Sequence, residues 1–214
     1  MKQISLVIAL LVSLPLFADG AKFIETFSSS QVGGFPKWWR AKPSEQSQAE
    51  AVYRVLEEGG TKYLAADAEK GESTPIFKMA SWDIEKWPIF TWRWRARRLP
   101  QGANESVPSR NDSACGIYVS FGMFKGKMLK YVWSSSLPAG TRYRKNDKVV
   151  FIVKRSGGGG GWVREETNLL EDAKEAFGEV PSREISGIGI LTDGNATNSP
   201  SACDYDDIGY KGVE

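Results

Sequence analysis

Histidine is absent from the 214 residues. That gap removes His-based nucleophilic triads, histidine general bases and the usual zinc sites together. Any catalysis would rest on carboxylates, Tyr, Lys or Arg. Charge imbalance is also small, and a formal net charge of +2 gives no electrostatic case for a nucleic-acid partner. Cysteine is scarce, with only Cys115 and Cys203. After the N-terminus no apolar run is long enough to span a bilayer. Hydrophobic residues at 41% and charged ones at 25% rule out a disordered chain on composition.

What is present begins with an export signal. Lys2 supplies a short positive start, Ile4 to Phe17 an apolar run, and Leu16-Phe17-Ala18 a cleavage site before Asp19. Residues 1–18 therefore read as a signal peptide and residues 19–214 as one domain. No cysteine follows the run to carry a lipid, and the short n-region looks bacterial, which implies the periplasm or the medium. An oxidising compartment permits a bridge between Cys115 and Cys203, which would stabilise the fold by roughly 4–5 kcal/mol in the chain-entropy model. Two separate buried thiols are the alternative. Eight tryptophans stand out as well, a residue used in cores and in sugar platforms.

Short segments of period-two alternation recur between Gly, Pro, Asn and Ser clusters, the pattern of a sandwich or barrel. Expected strands are Lys22–Phe27, Ala51–Leu56, Lys62–Ala66, Ile76–Ala80, Ile89–Arg97, Cys115–Phe124, Met128–Ser134, Lys148–Arg155, Glu184–Thr192 and Asp204–Tyr210. One helix is signalled, with Asn168 as cap, Glu171 three residues on and Gly178 at its end. The fold class is thus all-β, an antiparallel sandwich with one short helix.

The clearest strand is Ile89–Arg97, where Phe90, Trp92, Trp94 and Ala96 oppose Arg93, Arg95 and Arg97. In Cys115–Phe124 the residues Ile117, Val119, Phe121 and Met123 face in, leaving Tyr118 and Ser120 outside. Alternation in Asp204–Tyr210 places Ile208 and Tyr210 inside, with Tyr205 and Asp207 outside. If these strands share a sheet, Arg93, Arg95, Tyr118, Ser120, Tyr205 and Asp207 form a polar, aromatic floor suited to sugar rings and hydroxyls. The alternative is an ordinary solvated face of Arg–Asp pairs.

Other motifs read more plainly. Gly157–Gly161 is a flexible hairpin loop, since a phosphate loop would need a following helix and a Lys-Ser/Thr pair. Asp83 and Glu85 sit at the spacing of glycosidase carboxylates but precede Trp87-Pro88, which favours a turn. Asp193-Gly194-Asn195, with Asp204, Asp206 and Asp207, reads as a turn or as oxygen ligands for a structural calcium ion. No other cofactor is indicated. The Trp38-Trp39 pair is either an exposed stacking pair or a plug.

Several elements taken in order resemble a bacterial family of exported proteins, domain-of-unknown-function family 3047. They are Trp92-Arg93-Trp94, Asn111-Asp112-Ser113-Ala114, Lys130-Tyr131-Val132-Trp133-Ser134, Trp162, Asn168 with Asp172, Phe177-Gly178, the strand end at Asp193 and Asp207-Ile208. The resemblance implies a galactose-binding-like jelly roll, and it points to Asp112, Trp133, Asn168, Asp172 and Asp193 as site positions. Cys115 and Cys203 depart from the family pattern. Residues and resemblance together lead to an exported, non-catalytic module binding a glycan or other polar polymer. A carboxylate-based glycosidase or lyase and an envelope scaffold for a protein partner are the alternatives.

Overall fold

Strand β5 (Ile89–Arg98) organises the molecule. In the computed structural model, which describes residues 20–122 and 126–213, its alternation holds. Phe90, Trp92, Trp94 and Ala96 are buried, while Arg93, Arg95 and Arg97 turn the other way into ion pairs. The aromatic column meets strand β7 (Met128–Ser134) of a second sheet. Ring centres lie 5.2 Å apart for Trp92 and Tyr131, and 6.0 Å apart for Trp94 and Trp133. Each buried ring removes about 150–250 Å² from water, which makes this column a large source of inter-sheet attraction.

The first sheet runs β10 (Val163–Asn168), β5, β12 (Ser201–Lys211), β3 (Thr61–Ala68), β2 (Tyr53–Glu58), with β1 (Lys22–Glu25) also paired to β12. The second runs β4 (Ile76–Asp83), β11 (Glu184–Ile190), β6 (Cys115–Phe121), β7, β9 (Val149–Ser156), β8 (Arg142–Asn146). Pairing is antiparallel except between β7 and β9. The result is the expected all-β jelly-roll sandwich. Strands β8 and β10 were not foreseen because their sequences, Arg-Tyr-Arg-Lys-Asn and Val-Arg-Glu-Glu-Thr-Asn, carry almost no apolar alternation; both are edge strands. A short helix, α1 (Gln46–Val52), occupies the start of the strand expected from Ala51.

Strand β12 corrects the alternation reading. Its register against β5 slips between Asp206 and Gly209, and Asp207 adopts φ 48°. Such a bulge inverts which face each upstream residue meets. Ile208 and Tyr210 do turn inward, Tyr210 stacking on Trp82 at 5.0 Å. Before the bulge, however, Cys203 and Tyr205 face the core. Tyr205, expected outside, is fully buried and its hydroxyl accepts from the Gly116 amide at 3.1 Å.

The expected helix is present as α2 (Leu169–Phe177). Asn168 Oδ1 accepts from the amides of Leu170 and Glu171 at 3.0 and 3.4 Å, and Gly178 closes the helix at φ 79°, a conformation that favours glycine. The segment read as a signal peptide, and Met123 and Phe124 at the expected end of β6, lie outside the described residues. Among the described residues no helix is long and apolar enough to cross a membrane.

The inward turn of Cys203 brings it to Cys115 at the start of β6, and the two are bridged across 88 residues with Cα atoms 5.4 Å apart. The bridge ties one sheet to the other. Replacing both cysteines by alanine should lower the unfolding free energy by about 4–5 kcal/mol, as read from urea unfolding. A change below about 1 kcal/mol would show that the aromatic column alone holds the sheets together.

Candidate functional site

The floor expected from alternation is divided between the two outer surfaces. Arg93, Arg95 and Asp207 lie on the first sheet, Tyr118 and Ser120 on the second, because β5 and β12 do not share a sheet with β6. On the first sheet the charges are spent on one another. Asp204 accepts from Arg95 and Arg97, both at 2.8 Å, and Arg93 reaches Asp206 at 2.6 Å and Asp207 at 2.9 Å. Burial, with Asp207 alongside, outweighs the Arg93 pairing and pushes Asp206 up to about 7. The Trp162 ring lies over Arg93 and Arg95, 4.7 and 4.8 Å from their guanidinium carbons. This face is a closed ion-pair lattice with an aromatic cover.

The second sheet presents a different outer surface. One row crosses it in register: Phe77 on β4, Gly189 on β11, Tyr118 on β6, Lys130 on β7, Phe151 on β9 and Tyr143 on β8. The next row begins Met79, Gly187, Ser120. The β7–β9 half is covered, with Lys130 and Phe151 each 1% exposed. The β4–β11–β6 half is open, and Phe77 and Met79 are exposed at 42% and 74%. Gly189 lets the Phe77 ring lie over β11, since a Cβ on it would stand 2.9 Å from that ring and displace it.

Three adjoining depressions run along β4. One, of about 560 Å³, is lined by Trp38, Arg40, Lys42, Phe77 and Met79. A second, of about 240 Å³, lies over Phe77, Met79, Ser120 and Gly187. The third, of about 220 Å³, is lined by Met79, Ser81, Ser182, Glu184 and Ser186. Shared residues make them one trough. From Phe77 to Ser81 the strand covers about 13 Å at its rise of about 3.3 Å per residue.

The segment at the head of the trough explains the Trp38-Trp39 pair. Trp39 is the anchor, stacked on Phe27 and donating its indole N–H to Glu25 Oε2 at 3.0 Å. The Arg40 backbone pairs with Phe77 through bonds of 2.9 and 2.7 Å. Immediately before these two fixed points Trp38 adopts φ 69°, which costs a bulky residue about 1–3 kcal/mol. Its ring is left 64% exposed. Arg40, Phe77 and Met79 were missed as candidates. The available signal was the apolar character of Phe77 and Met79 on the second face of the Ile76–Ala80 strand.

The sequence matches the family described as "Protein of unknown function (DUF3047)" over residues 37–209. The chain belongs to that family. No curated protein matches it. Solved structures of similar fold include the family 11 carbohydrate-binding module of the cellulosomal cellulase Lic26A-Cel5E of Clostridium thermocellum. It is 10% identical, with 92% of this chain and 96% of that chain covered and a TM-score of 0.45. A non-crystalline cellulose specific module, CBM28, is 11% identical, with 88% and 94% covered and a TM-score of 0.42. The CBM22-1 xylan-binding domain of Paenibacillus barcinonensis Xyn10C is 10% identical, with 92% and 98% covered and a TM-score of 0.40.

The positions to which the family resemblance pointed all take internal partners. Trp133 is in the core and donates to the Gly157 carbonyl at 2.9 Å. Asn168 caps α2. Asp172 accepts from Tyr131 at 2.8 Å, Thr167 at 2.6 Å and Arg142 at 2.9 Å, pinning α2 over the end of the sandwich. Asp112 is fully buried and accepts from the amides of Ala196 and Thr197 at 3.0 and 2.7 Å. Asp193 accepts from the Ser113 amide at 2.9 Å and lies 3.8 Å from the Lys130 ammonium. These two loop carboxylates tie the 112–113 and 193–197 segments together. Among the described residues no group of three or more acidic, His or Cys side chains converges to hold a metal ion; Asp204, Asp206 and Asp207 face arginines instead.

Asp193 yields a pH prediction. Burial pushes its carboxyl from the ordinary 3.8 up to about 6, against the pull of Lys130 and the Ser113 amide and helped by Asp112. The folded state therefore binds this proton more readily than the unfolded chain. The resulting stabilisation is complete below about pH 4 and is lost as pH rises through about 6. Wild-type stability should fall across that window relative to Asp193→Asn, measured by denaturant unfolding at several pH values. Parallel profiles would contradict the shift.

Proposed function

We propose that this chain is an exported, non-catalytic binding protein for a glycan or similar polar polymer, held along the trough over β4. The observation that carries the reading is Trp38, fixed in a strained conformation with its ring exposed at the head of a trough floored by Phe77 and Met79. Sugar rings offer flat C–H faces to such surfaces and hydroxyls to polar neighbours. Ser81, Ser120 and Ser186 supply those neighbours, and Gly187 lets a ligand approach the backbone. Tyr118 flanks the trough on β6. The bridged cysteines and the signal-like residues 1–18 support export.

The alternatives draw less support. A glycosidase needs two carboxyl groups facing across a groove, and Glu184 is the one carboxylate among the described residues that line this trough. Asp83 and Glu85 both turn to Arg183, at 2.5 and 3.3 Å. A protein partner adding a strand to β4 would find its edge already paired at Phe77 by Arg40.

Affinity electrophoresis in gels containing envelope polysaccharides tests the reading. Trp38→Ala and Phe77→Ala should each weaken binding at least about tenfold, and Trp162→Ala should leave it unchanged. Binding that survives Trp38→Ala and is lost in Trp162→Ala would move the site to the opposite sheet.

A further inference from the structure

The charge distribution along the trough is uneven. At its Trp38 end Arg40, Lys42 and Lys78 line the depression with no carboxylate among them, and the Lys37 ammonium lies 4.8 Å from the Trp38 ring centre. Two of these cations are engaged. Lys42 pairs with Glu45 at 3.2 Å and Lys78 with Glu25 at 2.5 Å. The Arg40 side chain is exposed, and among the described residues no ion pair or hydrogen bond occupies its guanidinium. Its backbone, by contrast, is fixed by both bonds to Phe77. The opposite end holds Glu184, whose carboxylate accepts from Ser81.

An unoccupied guanidinium on a fixed backbone, beside an exposed indole and the Lys37 ammonium, suits a planar anion. The fork geometry suits a carboxylate, and the neighbouring ring suits the sugar that carries it. We infer that the polymer held in the trough is an acidic polysaccharide, with a carboxylate-bearing sugar stacked on Trp38 and its carboxylate received by Arg40. This rests on the glycan reading and goes beyond it by assigning the ligand's charge and its polarity along β4. The Ser81–Glu184 end meets uncharged hydroxyls of the same chain.

Polymers on the same sugar backbone, one anionic and one neutral, test it. The probes are polygalacturonate against its methyl ester, and carboxymethylcellulose against hydroxyethylcellulose, measured by isothermal titration and gel retardation at low and moderate salt. At least one anionic member should bind about tenfold or more tighter than its neutral counterpart, and salt should reduce that advantage. Arg40→Gln should remove at least about nine-tenths of that advantage, with the melting temperature unchanged. Equal binding of both members in every pair, or an advantage untouched by Arg40→Gln, would overturn the inference. If Trp38→Ala still abolishes neutral binding in that case, the glycan reading stands alone. Retention of single-stranded DNA in place of every polysaccharide would overturn both.

Discussion

The packing of β5 against β7 is the contact from which the rest follows. Trp92 and Trp94 fill the space between the sheets and fix the rotation of β5, so Arg93, Arg95 and Arg97 have one direction left to them. Their charges draw Asp204 and Asp206 of β12 to the outer side, and the bulge at Asp207 lets Ile208 and Tyr210 return to the core. Without that bulge, either the aspartates would be buried among tryptophans or the C-terminal end of β12 would lose its core contacts. The same geometry aims Cys203 at Cys115, so the covalent tie is a consequence of the aromatic packing.

The two outer faces then diverge. On the first sheet Arg93, Arg95 and Arg97 are matched to carboxylates and Trp162 covers the first two, which leaves little for a ligand to gain. On the second, glycines at positions 187 and 189 remove side chains where β11 crosses the surface, and the exposed aromatic and serine side chains of β4 and β6 stand around that low floor. A surface with a backbone floor, apolar walls and hydroxyls has few uses inside a monomer. Trp38 makes the same point by another route, since a strained residue that stays 64% exposed contributes little to folding.

The sandwich was largely legible in the chain. Eight residues of unbroken alternation in β5, Phe90 to Arg97, left one way to face, and the ends of α2 are set by Asn168 and Gly178 acting within a few residues. Where the reading failed, the determinant lay far away. Tyr205 was placed outside because a bulge two residues downstream reverses parity without any mark in the alternation. The polar floor dissolved because sheet membership depends on which strands meet, and β5 and β6 meet face to face. The trough was illegible for the same reason: it needs segment 36–41 to pair with the edge of a strand that begins 35 residues later, at Ile76. The resemblance to the family carried the fold correctly, while Asp112, Asp172 and Asp193 turn out to fasten loops and a helix.

Eight tryptophans distributed over the core, the closed face and the trough allow a direct test of where the ligand sits. Indole N–H resonances of the uniformly ¹⁵N-labelled protein, followed by two-dimensional NMR during titration with an oligosaccharide that binds, report each ring separately. The account predicts a saturable shift of the Trp38 indole, with Trp162 and the buried Trp92, Trp94 and Trp133 unmoved. A shift of Trp162 with Trp38 silent would contradict it and place recognition on the arginine face.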